Sequence, residues 1–228
     1  MSTPRDYIPA LGHDFLTPLY DPFVRLTMRD TAFKRRLVEQ AKVTDAHRVL
    51  DVGCGTGTLM ALVCTAVPDA RVVGIDGDLQ ILAIAQRRTR RAHGPTLVEA
   101  FSFALPFATG CFDRVFSTLM LHHLTRDEKL TTLREIVRVL RPNGELYVAD
   151  WGPPHNCLMR VLSLPLRFGH HSGRVQDNLA GSLPNLFRQA GLEDVRDHAR
   201  MPTLFGTLVL CAGRRPVHDH RDVQPSVR

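Results

Sequence analysis

The residues best suited to chemistry stand together in Val49-Leu50-Asp51-Val52-Gly53-Cys54-Gly55-Thr56-Gly57. A glycine at every second position lets the backbone turn tightly and lets a ligand come close to the main chain. A strand over 48–52 runs into this turn and a helix leaves it near Thr58. Free N–H groups and the positive end of a helix dipole therefore face the bound group. Asp51 adds a carboxylate at the lip of the turn. This set suits a ligand carrying a cation and a ribose better than one carrying a pyrophosphate. Asp76 closes a second strand, Arg71-Val72-Val73-Gly74-Ile75-Asp76, roughly 20 residues farther on, where an acid can accept both ribose hydroxyls.

The competing reading is a dinucleotide site, which requires G-x-G-x-x-G. Here the glycines fall as G-x-G-x-G, the sixth position is Thr58, and Asp51 would repel a pyrophosphate. An NAD(P)-dependent oxidoreductase on the same architecture thus stays the alternative. His155, His170 and His171 match no zinc spacing, so no metal is expected. Among the five cysteines, Cys54 and Cys64 read as small packing residues. Cys111 and Cys157 are candidates for exposure.

These residues need a scaffold, and the pattern around them supplies one. A helix is expected over 23–43, with Leu26, Phe33, Leu37, Val38 and Ala41 at near-helical spacing. Strands at 48–52, 71–76, 96–100, 112–119 and 144–150 alternate with helices at 58–67, 78–92 and from Arg126 to just before Pro142. Asp78 is the expected N-cap of the second of these, and Pro142-Asn143-Gly144 reads as a stop-and-turn. The stretch 152–174, rich in Pro, His and Gly, shows no clear period. A helix over 176–189, which Pro184 could break, precedes a closing hairpin of 193–203 and 204–213. The result is an α/β fold: a doubly wound, mostly parallel seven-stranded sheet with a C-terminal antiparallel hairpin. Residues 1–44 form an N-terminal lid and helix, 45–214 the binding domain with 152–175 as a substrate-side insertion, and 215–228 a disordered tail.

Composition bounds the alternatives. A chain of 228 residues, 44% hydrophobic and 23% charged, is that of an ordinary globular protein able to bury its core. No apolar run reaches the ~20 residues of a membrane span, the first residues carry no apolar signal region, and an odd cysteine count fits reduced thiols. A cytoplasmic protein, monomer or homodimer, is expected. The net charge of +6 raises nucleic acid as a partner. Its excess sits in Arg87, Arg88, Arg90 and Arg91 at a helix end, and in Arg214, Arg215, Arg221 and Arg228. No aromatics interleave these arginines, so a solvated helix face is expected and no nucleic-acid partner.

The string Asp51 to Gly57 resembles motif I of the class I S-adenosylmethionine (SAM) dependent methyltransferases. Leu105-Pro106-Phe107 with Phe112-Asp113-Arg114-Val115, Leu121-His122-His123-Leu124, and Arg138-Val139-Leu140-Arg141-Pro142-Asn143-Gly144-Glu145-Leu146 resemble further segments of that family in the same order. Leu19-Tyr20-Asp21 hints at its ubiquinone/menaquinone-biosynthesis-like branch. The resemblance implies SAM as cofactor and methyl transfer to a small molecule, aromatic, quinone-like or lipidic. It implies that Gly53, Cys54, Gly55, Thr56 and Gly57 hold the methionine part and that Asp51 faces the ammonium. Asp76 and Gly77 would meet the ribose, and Thr118, in the 117–119 strand end, the sulfonium. Phe101, followed by Ser102, stands where the family carries Asp or Asn near the adenine, so either stacking by Phe101 or the Ser102 backbone replaces that acceptor, or SAM is held more weakly. His122 and His123, beside the expected mouth, are candidate bases for a protonated acceptor, and Tyr20 is a candidate contact from the lid. A SAM-binding partner subunit without turnover is the reading from a different class. The [DN]-P-P-[YF] segment of base-methylating members is absent, since Ser117-Thr118-Leu119-Met120 occupies its place.

Overall fold

A computed structural model describes residues 30–90, 94–168 and 172–217. The candidate Tyr20, the start of the first expected helix, Arg91, His170, His171 and the tail beyond Val217 lie outside them. Within them the chain forms β1 (Arg48–Val52), β2 (Arg71–Asp76), β3 (Thr96–Glu99), β4 (Phe112–Thr118), β5 (Leu140–Trp151), β6 (Glu193–Thr203) and β7 (Gly206–Arg214). The helices are α1 (Asp30–Ala41), α2 (Thr58–Ala66), α3 (Leu79–Arg88), α4 (Arg126–Val139), α5 (Cys157–Leu162), α6 (Leu164–Phe168), α7 (Ser172–Leu179) and α8 (Leu183–Gln189). A 3-10 turn spans Leu121–His123.

The strands lie in the order β3-β2-β1-β4-β5-β7-β6. The first five pair in parallel, and β7 pairs antiparallel to both β5 and β6. Because side chains alternate along a strand, β1 feeds two cores. Val49 joins Phe33, Leu37, Leu59, Met60 and Ala85 from α1, α2 and α3. Leu50 and Val52 join Leu133, Ile136, Leu186 and Phe187 from α4 and α8 on the other face. The order reverses between β1 and β4, so the crevice at their carboxyl ends is the ligand-binding switch point of such sheets.

Local signals explain most boundaries. Asp78 caps α3 by accepting from Gln80 N at 2.8 Å and Ile81 N at 3.3 Å. Thr125 and Glu128 form a capping box on α4. Two expectations are corrected. Pro142-Asn143-Gly144 is not a turn between elements but a bulge inside β5, where the register jumps from Phe112↔Leu140 to Arg114↔Glu145. Asn143 takes φ 62 there, and its N–H donates to Arg215 O at 3.0 Å. The helix expected at 176–189 is two helices parted at Gly181, φ 77. Pro184 sits in the first turn of α8, where its missing N–H costs nothing. The stretch without a period folds into α5 and α6, a cap over the end of β5.

Candidate functional site

The turn after β1 is built as its glycines demand. Gly53, Gly55 and Gly57 take φ of 70°, 54° and 79°, a region that costs L side chains. A Cβ on Gly53 would stand 2.6 Å from Met120 Cγ, because the exit of β4 packs directly on the turn. A Cβ on Gly55 would meet nothing within 4 Å, so the space over the middle of the turn is open. Cys54 is buried and holds the turn to β2 through its N–H, which donates to Ile75 O at 2.8 Å. Gly57 gives α2 no side-chain cap, which leaves its first N–H groups to a ligand.

Two expectations about this turn change. Arg88, read as part of a solvated face, reaches back from the end of α3. It donates to Thr56 O at 3.0 Å, Thr56 Oγ1 at 2.7 Å and Thr58 Oγ1 at 2.7 Å. The Thr56 hydroxyl is therefore drawn toward α3, and the turn faces a ligand with backbone. Asp51 is not at the lip but beneath it, fully buried, on the α1 side of β1 with Val49. Neither of its oxygens has a partner. Burial pushes its pKa up to about 7, against the pull of Lys34 on α1, an ammonium already paired with Asp30 at 2.8 Å.

Asp76 ties the second strand to the turn. Its Oδ2 accepts from Gly55 N at 3.0 Å and its Oδ1 from Asp78 N at 3.1 Å. Burial raises its pKa, while the N–H groups of Gly55, Asp78 and Gly77 pull it down. Each carboxylate oxygen still has a lone pair for a hydroxyl donor. Next to it, the rings of Phe101 and Phe103 stack at 5.3 Å with an 8° interplanar angle. Phe103 is 40% exposed and Leu79 61% exposed, so this margin presents apolar faces rather than an acceptor. The Ser102 hydroxyl is paired with Thr132 Oγ1 at 2.9 Å and is committed to α4. Leu79 went unnoticed in the sequence, though its signal was there: a large apolar residue in a helix's first turn, three positions after the acid.

At the end of β4, Thr118 is half-buried and Ser117 is fully buried with an unpaired hydroxyl. Leu119 follows at φ 54, a strained conformation for a non-glycine residue that marks functional turns.

On the other side of β4 stands a second constellation. Asp150, fully buried near the end of β5, meets His122 Nδ1 at 2.8 Å with Oδ1, accepts His122 N–H at 3.2 Å with Oδ2, and accepts Trp151 N–H at 2.7 Å. Burial would raise its pKa, but His122 and the Trp151 N–H more than offset that and hold it below the usual carboxylate value. An ionised carboxylate only accepts, so Nδ1 of His122 carries the hydrogen and Nε2 is left as the basic nitrogen. The ring is 15% exposed, lies 4.0 Å from that of His123 and meets Trp151 edge-on at 6.2 Å. His122 is thus an oriented base. His123 packs beside it with the rings tilted by 39°.

Helix α7 packs against the turn that carries this pair. Lys129 of α4 is fully buried; its ammonium donates to Arg174 O and stands 3.6 Å from Asp177 Oδ2. Arg174 in turn donates to His123 O at 3.0 Å, so α7 is fastened to the histidine turn. Asn178, on the same helix, is fully buried with both amide atoms unpaired. Sequence reading missed Lys129 and Asn178. Lys129 was detectable as a charge at an apolar-face position of α4, in step with Thr132, Leu133 and Ile136. Asn178 left no such signal. His155 is a structural link, its Nδ1 2.9 Å from Thr207 Oγ1. Cys111 is half-buried and Cys157 exposed. Among the described residues no three potential metal ligands cluster.

The residues present fit the cofactor that the resemblance implies. Asp51, buried without a partner, can receive a cation; the open space over Gly55 can admit the backbone-bound portion; Asp76 can take the ribose; the stacked Phe101–Phe103 pair and exposed Leu79 offer apolar surface to a flat ring. The comparisons agree. A methyltransferase-domain family profile matches residues 49–144. The demethylmenaquinone methyltransferase of Thermus thermophilus is 37% identical over 142 residues, 61% of this chain and 64% of that protein. The ubiquinone/menaquinone biosynthesis C-methyltransferase UbiE of Syntrophotalea carbinolica is 30% identical over 165 residues, 69% of each chain. Among solved structures, magnesium protoporphyrin IX methyltransferase from Synechocystis, with bound SAM, shares the fold at TM-score 0.60 and 18% identity, covering 85% of this chain and 84% of that one. The YcgJ protein of Bacillus subtilis does so at TM-score 0.64 and 16% identity, over 81% and 99%. Taken with the glycine turn, Asp76 and the strand order, these likenesses show that the chain belongs to the class I SAM-dependent methyltransferases, on their ubiquinone/menaquinone-biosynthesis-like branch.

Proposed function

We propose that this protein methylates a small, quinol-like acceptor, with His122 as general base. Bound SAM supplies an electrophilic methyl carbon, so the chain itself must align the acceptor and manage its proton. Asp51, the turn Gly53–Gly57, Asp76, Leu79 and Phe101 hold SAM, and Thr118 borders its sulfonium. His122 Nε2 takes the hydroxyl proton of the acceptor, which concentrates electron density on the ring oxygen and on the carbons conjugated with it. Asp150 stabilises the imidazolium that results. The unpaired amide of Asn178 receives an acceptor oxygen, and the cluster of Trp151, Val175 and Leu179 covers an apolar ring or chain.

The observation that carries this reading is the 2.8 Å contact of His122 Nδ1 with a fully buried, ionised Asp150. An imidazole fixed in that way has one free basic nitrogen. The quinol-like acceptor is supported by the names of the two relatives above, both of quinone-biosynthesis enzymes. The test is transfer of a radiolabelled methyl group from SAM to reduced demethylmenaquinone, beside catechol, a fatty acid and an amine. Label appearing in the quinol, and lost with His122→Gln, is the expected result. Label appearing only in the fatty acid or amine would overturn the acceptor class.

A further inference from the structure

The outer side of the cap carries a feature the transfer reaction does not use. Leu158, Val161 and Leu164 are 62%, 60% and 42% exposed, and Leu204 in the β6–β7 turn is 58% exposed. Leu158 and Val161 stand three residues apart and so share one face of α5. The opposite face is seated in the protein, with Met159 at 3% exposure and Ser163, between α5 and α6, at 0%. Leu204 belongs to the same neighbourhood. A Cβ on Gly206 would stand 3.1 Å from Ser163 Cβ, so the hairpin turn abuts the joint between the two helices.

The charge around this rim has one sign. Arg160 and Arg167 are exposed, and Arg167 stands three residues from Leu164 on the same side of α6. No aspartate or glutamate occurs between Asp150 and Asp177. Large apolar side chains held outward and flanked by arginines, with no acid among them, match an interface of acyl chains beneath anionic headgroups. The leucines and valine enter the acyl boundary, and the arginines reach the phosphates. The same cap also covers the reaction site. Leu166 and Phe205 pack with Trp151, Val175 and Leu179, and Trp151 meets His122.

We propose that the α5–α6 cap, together with Leu204, docks on an anionic lipid membrane surface and admits a lipid-borne acceptor to the crevice beneath. The delivery role rests on the quinol reading, whereas the docking can be measured without any acceptor. The experiment is co-sedimentation of the full chain, loaded with SAM, with vesicles of phosphatidylglycerol and phosphatidylcholine and with vesicles of phosphatidylcholine alone. Binding to the anionic vesicles is expected, at least about tenfold tighter than to the neutral ones and weakened by high salt. Leu158→Glu/Val161→Glu and Arg160→Glu/Arg167→Glu should each lower that binding about tenfold or more while SAM affinity stays unchanged.

Wild-type protein remaining in the supernatant, or both variants binding as wild type, would overturn the docking. So would a Leu158→Glu/Val161→Glu variant that shifts only a monomer–dimer equilibrium in analytical ultracentrifugation, because the face would then belong to a second copy. Methyl transfer to a short-chain soluble quinol reports on the acceptor reading independently, so the two failures are distinguishable.

Discussion

Two aspartates at the carboxyl edge of the sheet are equally buried and behave oppositely. Asp51 on β1 has no partner for either oxygen, and burial carries its pKa up to about 7. Asp150 on β5 accepts from His122 and Trp151, and these partners hold its pKa down in spite of the same burial. Burial alone therefore does not decide charge; the donors do. The β1 side of the crevice is left with an unsatisfied carboxyl, which a cationic ligand would complete on the proposed reading. The β5 side is preorganised, with its charge compensated inside the protein before anything binds.

The contrast can be broken at several points. The largest effect is expected at the preorganised side. His122→Gln should lower kcat by roughly 10²–10⁴-fold, with SAM affinity in calorimetry unchanged. Asp150→Asn should approach that loss, and the double variant should be no slower than His122→Gln alone, since the two act as a unit. Strictly additive losses in single-turnover assays would separate them. On the other side, Asp76→Ala should weaken SAM binding by about tenfold or more, near 1.4 kcal/mol, with an unaltered circular dichroism spectrum. Unchanged affinity would mean that the ribose is held elsewhere.

The pH dependence sharpens the comparison further. A cation prefers the ionised form of Asp51, so SAM affinity should rise with pH up to about 7 and then level off, with a slope approaching about tenfold per unit below that point. Asp51→Asn should flatten the curve. Stability without ligand should slope the other way. The folded protein holds the Asp51 proton to about 7, against 3.8 for an ordinary Asp, so this contribution is full below 3.8 and is lost as pH rises through 7. Asp150, with a lowered pKa, contributes stability above the ordinary value and loses it as pH falls. Denaturation midpoints of both Asn variants should therefore approach wild type at acid pH and part from it in opposite directions as pH rises, Asp51→Asn becoming the more stable and Asp150→Asn the less stable. The smallest effect is expected for Arg88→Leu, about a two- to fivefold loss of SAM affinity, because an exposed side chain that braces a turn is worth only about 1 kcal/mol.

Motif I, Asp76, the capped helix α3, the parallel order of β1 to β5 and the closing hairpin were legible because each is written in a short window. Glycines at alternate positions favour positive φ, an Asp before a helix favours a cap, and short apolar runs bounded by turn residues favour strands. The stretch 152–174 was illegible because α5 and α6 are too short to show a period. The bulge at Asn143 was illegible because it depends on pairing with Arg215 across the sheet. Thr56 and Arg88 are 32 residues apart, and no local pattern announces that one will turn toward the other.

By itself, then, the amino-acid order determined the class of fold, the glycine turn after β1 and the acid that closes β2 beside it, since these follow from backbone constraints acting over a few residues. Only the tertiary structure decided which histidine is the oriented one. His122 and Asp150 are 28 positions apart, and they meet because β4 and β5 lie side by side in a register that brings Thr118 opposite Ala149. The charge state of Asp51, the buried Lys129 and the outward face of the cap were decided at the same level. Desolvation and exposure belong to the packed chain as a whole and to no segment of it.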